Sequence, residues 1–198
     1  PIDFGKVSLN KKKEKICGDY YTIITEPESA VLVLSDGLGS GVKANILATL
    51  TAKMLSIMIA GKVAIRTAVK AVADTLPVCS VRNLFGEKEI HQSYFQFQEG
   101  DLLILMSDGV TNAGMGKTTY GGWGREEVVK FCEQRWSKEI SAQEMASAIG
   151  NAGLDLNLDE TDDDLTVLVM KGMKKKVVNI MVGPPADRED DRSYFETF

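Results

Sequence analysis

Two short apolar segments, YYTIIT (20–25) and AVLVLS (30–35), are separated by the four residues EPES. The pattern predicts two strands joined by a tight turn. Over 42–60 the period changes, and Ile46, Leu47, Leu50, Met54, Leu55 and Met58 recur at helical spacing until Gly61 breaks it. That spacing predicts a helix, with core packing the better account of most of its apolar residues. A second helix places Ile65, Val69, Val72, Ala73 and Leu76 on one face and stops at Pro77. SYFQFQ, EGD and LLILMS then read as another hairpin over 93–107. The unbroken apolar run 102–106 suits a strand buried on both faces. A glycine-rich loop, GMGKTTYGGWG (114–124), precedes an amphipathic helix over 125–136 that turns Val128, Val129, Cys132 and Trp136 to one side. SAQE opens the next helix as a capping box of Ser141 and Glu144, running to Gly153. DDDLTVLVMK (162–171) is a further buried-strand pattern.

Past the lysine run 174–176 the composition shifts. VVNIMV reads as a strand, and GPPADREDDRSYFETF has no core face. Residues 1–173 therefore read as one domain, and 174–198 as a linker or the start of a second module. The 198 residues, 44% hydrophobic and 26% charged, can bury a sizeable core in the ordinary manner of a soluble globular domain. A net charge of −5 argues against nucleic acid or an anionic membrane as the main partner. No apolar run reads as a membrane span, so membrane insertion is not expected and a cytoplasmic location is. The first residue is proline, which suggests a fragment or a processed chain. Cys17, Cys79 and Cys132 contain no CxxC and read as reduced thiols. CSVRN (79–83) lacks the cysteine-to-arginine spacing of a thiol phosphatase nucleophile.

Aspartates stand at the ends of the apolar segments. Asp36 and Asp108, both within SDG, close their strands, whereas Asp19 and the Asp163–Asp164 pair precede theirs. In a hairpin turning at residues 27 and 28, Asp19 falls opposite Asp36, because equal numbers of residues separate each from the turn. If the strand over 165–170 runs antiparallel to that over 102–106, Asp163 and Asp108 share one edge as well. Such carboxylates raise one another's pKa, and a multivalent cation resolves the conflict. With oxygen donors and no histidine or thiolate in these motifs, Mg²⁺ or Mn²⁺ suits them better than zinc. The glycine after each strand-end aspartate allows a sharp turn and can present a carbonyl. Aspartate and glycine also end strands simply as turn formers, which is the bland explanation for any single pair. A phosphate-cradling role for GLGSG (37–41) fits neither Walker A nor GxGxxG.

GD (18–19), VLSDGLGSG (33–41), GDLLILMSDGV (100–110) and DDLTVLVM (163–170) resemble, in order, the motifs of PP2C-type metal-dependent serine/threonine phosphatases. The LSDGLGSG form and compact length look most like the bacterial SpoIIE branch. The resemblance implies an α+β fold, a β-sandwich of two mainly antiparallel sheets flanked by helices, with two Mn²⁺ or Mg²⁺ ions at the sheet edges. Carried over by motif, Asp36 bridges both metals and the Gly37 carbonyl assists one. Asp108 and Asp163 hold one ion, and Asp19 stands at the mouth of the cluster. Of the pair, the first aspartate is the family's ligand, which favours Asp163 over Asp164. The implied reaction is in-line attack on phosphorus by a metal-bridged water or hydroxide, without a covalent phosphoenzyme. The implied partner is a phosphorylated regulatory protein. The helices over 42–76 are implied to serve in homodimerisation or switching, although core packing accounts for most of their apolar residues.

The chain also departs from the family pattern. The nearest basic residues to the arginine that eukaryotic members use for substrate phosphate are Lys11, Lys12 and Lys13, which receive no such role. His91, the single histidine, matches no motif. VRNL (81–84) runs almost directly into FGEKE, where the family has further strands, and this puts turnover in question. The rival expectation is a non-catalytic binding module that keeps the fold and signals through its helices and C-terminal extension.

Overall fold

The centre of the molecule is a strand whose every residue is buried, Leu165–Gly172 (β6). In the computed structural model, which describes residues 2–27, 29–76, 91–117, 121–173 and 176–182, this strand lies between β1 (Ile2–Leu9) and β5 (Leu102–Met106), antiparallel to both. Its side chains alternate with the pleat. Leu165, Val167 and Val169 enter a core with Val110, Val128, Met145 and Ile149. Thr166 points the other way, where its hydroxyl meets that of Ser8 at 3.2 Å. Full burial of an aliphatic side chain of this size contributes roughly 1.5–3 kcal/mol, which makes β6 the chief anchor of the sheet.

β1 is a strand that the apolar pattern did not announce. Gly5 interrupts its alternation, and the glycine is needed because a Cβ there would lie 2.1 Å from the Ala142 carbonyl oxygen. Close approach lets the start of helix α5 (Ala142–Leu156) sit on the strand, with the Ala142 amide donating to Asp3 Oδ2 at 2.8 Å. The capping box expected at Ser141 and Glu144 is present on both sides.

The hairpin of β2 (Tyr20–Thr25) and β3 (Ala30–Ser35) has the expected register, Tyr20 opposite Ser35. Its turn closes with Glu26 N–H donating to the Ser29 carbonyl at 2.8 Å. Helix α1 (Gly41–Ala60) packs on this hairpin, and here the expectation holds only in part. The buried stripe is Ala44, Ala48, Ala52 and Ser56, whereas Ile46, Leu50 and Ile57 are exposed. Small side chains let the helix axis approach the strands, and bulkier ones cannot share that face. Met54, Leu55 and Met58 pack instead with Val72, Leu76 and Ala73 around helix α2 (Ile65–Thr75). By length and composition α1 is also apolar enough to cross a membrane, contrary to the expectation that no segment is.

A second correction concerns 93–107. β4 (His91–Phe97) does not fold back on β5 but pairs with β7 (Lys176–Val182), while β5 pairs with β6. Both ladders keep one register, since Leu102 faces Lys171 and Phe97 faces Lys176, each pair summing to 273. The residues QEGD still make a turn, with Asp101 N–H donating to the Gln98 carbonyl at 3.3 Å, but the strands on either side of it take different partners instead of each other. Gly172 braces this turn, its N–H donating to the Asp101 carbonyl at 2.9 Å while its own carbonyl accepts from Gly100 N–H at 2.8 Å. β5 is half-buried along its length, and the two-sided burial expected of it is found in β6. Helix α3 (Asp108–Thr111) follows β5 directly, and α4 (Arg125–Arg135) places Val128 and Cys132 in the core. Trp136 does not join them, being exposed, with its indole N–H donating to the Gly100 carbonyl at 3.1 Å.

All four strand pairings among the described residues are antiparallel and helices flank the sheets, which makes the fold α+β. The CSVRN stretch, the passage from VRNL towards FGEKE and the tail from 183 onward lie outside the described residues.

Candidate metal centre

The hairpin register that sets Tyr20 opposite Ser35 sets Asp19 opposite Asp36 one step further on. Gly37 N–H donates to Asp19 Oδ1 at 3.3 Å, and the Asp108 N–H donates to Asp36 Oδ2 at 3.3 Å. Three strand ends therefore meet. The approach is close: a Cβ on Gly37 would lie 2.3 Å from the Gly18 carbonyl oxygen, and one on Gly109 would lie 2.0 Å from the Asp164 carbonyl oxygen.

Asp19 is buried, at 5% exposure, and its Oδ2 has no hydrogen-bond partner among the described residues. Burial holds its carboxyl above the ordinary range, opposed by the neighbouring Ser107 and Thr166 hydroxyls and the Gly37 amide, while the charge of Asp164 adds to the rise. Both hydroxyls have other engagements: Ser107 Oγ accepts from Thr166 N–H at 2.9 Å, and Thr166 Oγ1 pairs with Ser8. Asp36 is pushed up to about 7, first by the protein packed around its carboxyl, then by the negative charges of Asp19 and Asp108. The residue as a whole nonetheless keeps an exposed face, so the site is open to solvent.

Asp163 and Asp164 part company. Asp163 is half-buried, and its carboxylate lies 3.9 Å from Lys11 Nζ and accepts the Asp164 N–H at 2.9 Å. The Asp164 carboxylate turns inward to two backbone amides, those of Lys11 and Gly18. Asp19, Asp36 and Asp108 are brought together. Among the described residues, no three carboxylate, thiol or imidazole groups are gathered tightly enough to form a ready metal cluster. The donors still fit a hard divalent cation, since they are all oxygen, they repel one another, and one buried oxygen lacks a partner. Burial raises the thiol pKa of Cys17 and takes that of Cys132 to about 11, so neither supplies a thiolate.

Ser107 and Thr166 escaped the reading of the sequence, although each adjoins a motif aspartate. The signal was the strand alternation, which sends Thr166 to the face opposite Leu165 and Val167.

This arrangement, strand-end aspartates on antiparallel sheets flanked by helices, defines the class of PP2C-type phosphatase folds, and solved structures agree. The chain is similar to the PP2C phosphatase domain, with a fragment of the regulatory domain, of the cell fate determinant SpoIIE from Bacillus subtilis, at a TM-score of 0.62 and 15% identity. That likeness covers 86% of this chain and 63% of the other, so the chain spans less than two thirds of that relative. The SiaA PP2C domain of Pseudomonas aeruginosa matches at a TM-score of 0.61 and 15% identity, covering 84% of each chain. RsbX in complex with magnesium matches at 0.52 and 13% identity, covering 86% of this chain and 94% of that one. No curated protein matches. The family model for stage II sporulation protein E (SpoIIE) matches residues 73–172, and the chain belongs to that family. The matched span contains Asp108, Asp163 and Asp164, whereas Asp19 and Asp36 precede it.

Proposed function

We propose that this domain is a protein phosphatase that hydrolyses phosphoserine or phosphothreonine on a regulatory protein, with two Mn²⁺ or Mg²⁺ ions as cofactors. The observation that carries the reading is the convergence of Asp19, Asp36 and Asp108 despite their mutual repulsion, with one buried Asp19 oxygen left unpartnered among the described residues. Asp36 and Asp108 would hold the metals, with the Gly37 carbonyl assisting. Asp19 would complete the cluster, and Asp163 would join it on leaving Lys11. When bound, such ions supply Lewis acidity toward phosphoryl oxygens and lower the pKa of the attacking water. The chain itself contributes rigid placement: Gly37 N–H orients the Asp19 carboxylate, and the Asp108 N–H orients that of Asp36.

The test is hydrolysis of p-nitrophenyl phosphate with Mn²⁺, comparing wild type with Asp36→Asn. Metal-dependent turnover is expected in the first and a loss of at least ~100-fold in the second. Absence of turnover in the folded wild type would favour a second reading, a non-catalytic module. That reading draws support from Ile46, Leu50 and Ile57 on the outer face of α1, which offer an apolar surface for a second copy or a partner. A homodimer through α1 and α2 belongs to either reading, and sedimentation of wild type against Leu50→Glu would reveal it.

A further inference from the structure

We propose that Asp164 is a positioning residue, not a metal ligand: its carboxylate clamps both ends of the 11–18 segment and thereby sets Asp19 against Asp36. The consequence for metal binding rests on the phosphatase reading, whereas the clamp can be tested apart from it. Asp164 is 3% exposed, and its two oxygens are divided between the two ends of one loop. Oδ1 accepts from Lys11 N–H at 2.9 Å, and Oδ2 accepts from Gly18 N–H at 2.8 Å. Hydrogen bonds to a charged acceptor are about twice as strong as neutral ones, and a buried amide that loses its acceptor is costly.

The clamp reaches the site in two further contacts. A Cβ on Gly18 would sit 2.7 Å from Asp164 Oδ2, so only glycine comes this near the carboxylate. The Gly18 carbonyl then abuts Gly37, whose amide donates to Asp19 Oδ1. Asp164 thus fixes Gly18, and Gly18 fixes the two residues beside it in the cluster. The segment has other moorings: Lys12 N–H on the Thr161 carbonyl at 2.8 Å, Thr161 Oγ1 on the Asn10 carbonyl, and Asn45 Nδ2 on the Cys17 carbonyl at 2.8 Å. These would keep the loop in place, though loosened, when the carboxylate is changed. Neighbouring Asp163 is turned outward to Lys11, which separates the roles of the pair.

The experiment uses the isosteric Asp164→Asn, whose amide cannot accept from both N–H groups, in two arms. In metal-free protein, amide hydrogen exchange is followed at Lys11 and Gly18, with Val167 and Val169 reporting on the intact sheet. Lys11 and Gly18 are expected to be protected in wild type and to exchange at least ~10-fold faster in the variant, with the strand amides unchanged. In the second arm Mn²⁺ is titrated: affinity should fall about 10–100-fold, with kcat at saturating Mn²⁺ within about threefold of wild type. Unaltered exchange at both amides would overturn the clamp. Loss of kcat that saturating Mn²⁺ does not restore would overturn the positioning role and mark Asp164 as a ligand. If wild type neither binds Mn²⁺ nor turns over, the phosphatase reading fails, and the exchange arm alone upholds or overturns the clamp.

Discussion

The backbone amide of Asp108 donates to Oδ2 of Asp36 across 3.3 Å, joining residues 72 apart in sequence. One strand end thus presents a charged side chain and the other a backbone donor to it. Asp108 therefore does two separable things: its amide orients Asp36, and its carboxylate adds negative charge that raises Asp36.

Because those roles are separable, Asp108→Asn isolates the side chain. The variant keeps the amide bond to Asp36 and removes the charge. Mn²⁺ affinity is expected to fall at least ~10-fold by calorimetric titration, with thermal stability of the metal-free protein unchanged or raised. Unchanged affinity would remove Asp108 from the metal centre.

The two faces of α1 make opposite demands. Ala48 is 2% exposed on the small-residue stripe against β2 and β3, so Ala48→Leu forces the helix outward at a cost of roughly 1–3 kcal/mol. Ile46 is exposed, and Ile46→Ser should change stability by no more than about 0.5 kcal/mol. Denaturant midpoints of the two variants check the pair, and a reversed order would mean that the inner face has been misplaced.

That helix also shows where the sequence was legible and where it was not. Its limits could be read from the change of period and from Gly61. The buried side could not, because the large apolar residues and the alanines both recur at helical spacing, and only the neighbouring hairpin decides between them. Asp19 and Asp36 were placed opposite each other by counting residues from a turn, a local relation that tertiary context left intact. The stretch 93–107 failed for the converse reason: EGD has turn chemistry, but the partner of β4 is β7, some eighty positions away, and no local signal announces it. Likewise, DD marked a site, yet only the loop folded over β6 shows that Asp164 faces backbone amides and Asp163 faces Lys11.

Gly109 is a steric requirement of the site rather than a flexible joint. A Cβ there would lie 2.0 Å from the Asp164 carbonyl oxygen, so Gly109→Ala must separate α3 from the start of β6. A loss of roughly 1–3 kcal/mol is expected, with Mn²⁺ binding weakened as Asp108 moves. Gly116 is the control: among the described residues nothing would meet a Cβ there, and its φ is +75°, so alanine costs only about 1 kcal/mol of backbone strain. Equal melting temperatures for the two variants would contradict the close approach.

The charge conflict at Asp36 has a signature in pH. Its folded-state carboxyl is pushed up to about 7 from an ordinary 3.8. Below about pH 4 the folded and unfolded chains both hold the proton, and the contribution to stability is fully present. Between there and pH 7 the unfolded chain releases a proton that the folded chain keeps, so stability drains away as pH rises and is lost above 7. The melting temperature of metal-free wild type, measured relative to Asp36→Asn, should therefore fall from pH 4 to pH 7 and then level off. Mn²⁺ added at pH 7.5 should raise the melting temperature of wild type and leave that of Asp36→Asn nearly unmoved, because the cation replaces the proton as the neutralising charge. Parallel melting curves for the two proteins across this range would mean that Asp36 is not crowded by Asp19 and Asp108 in solution.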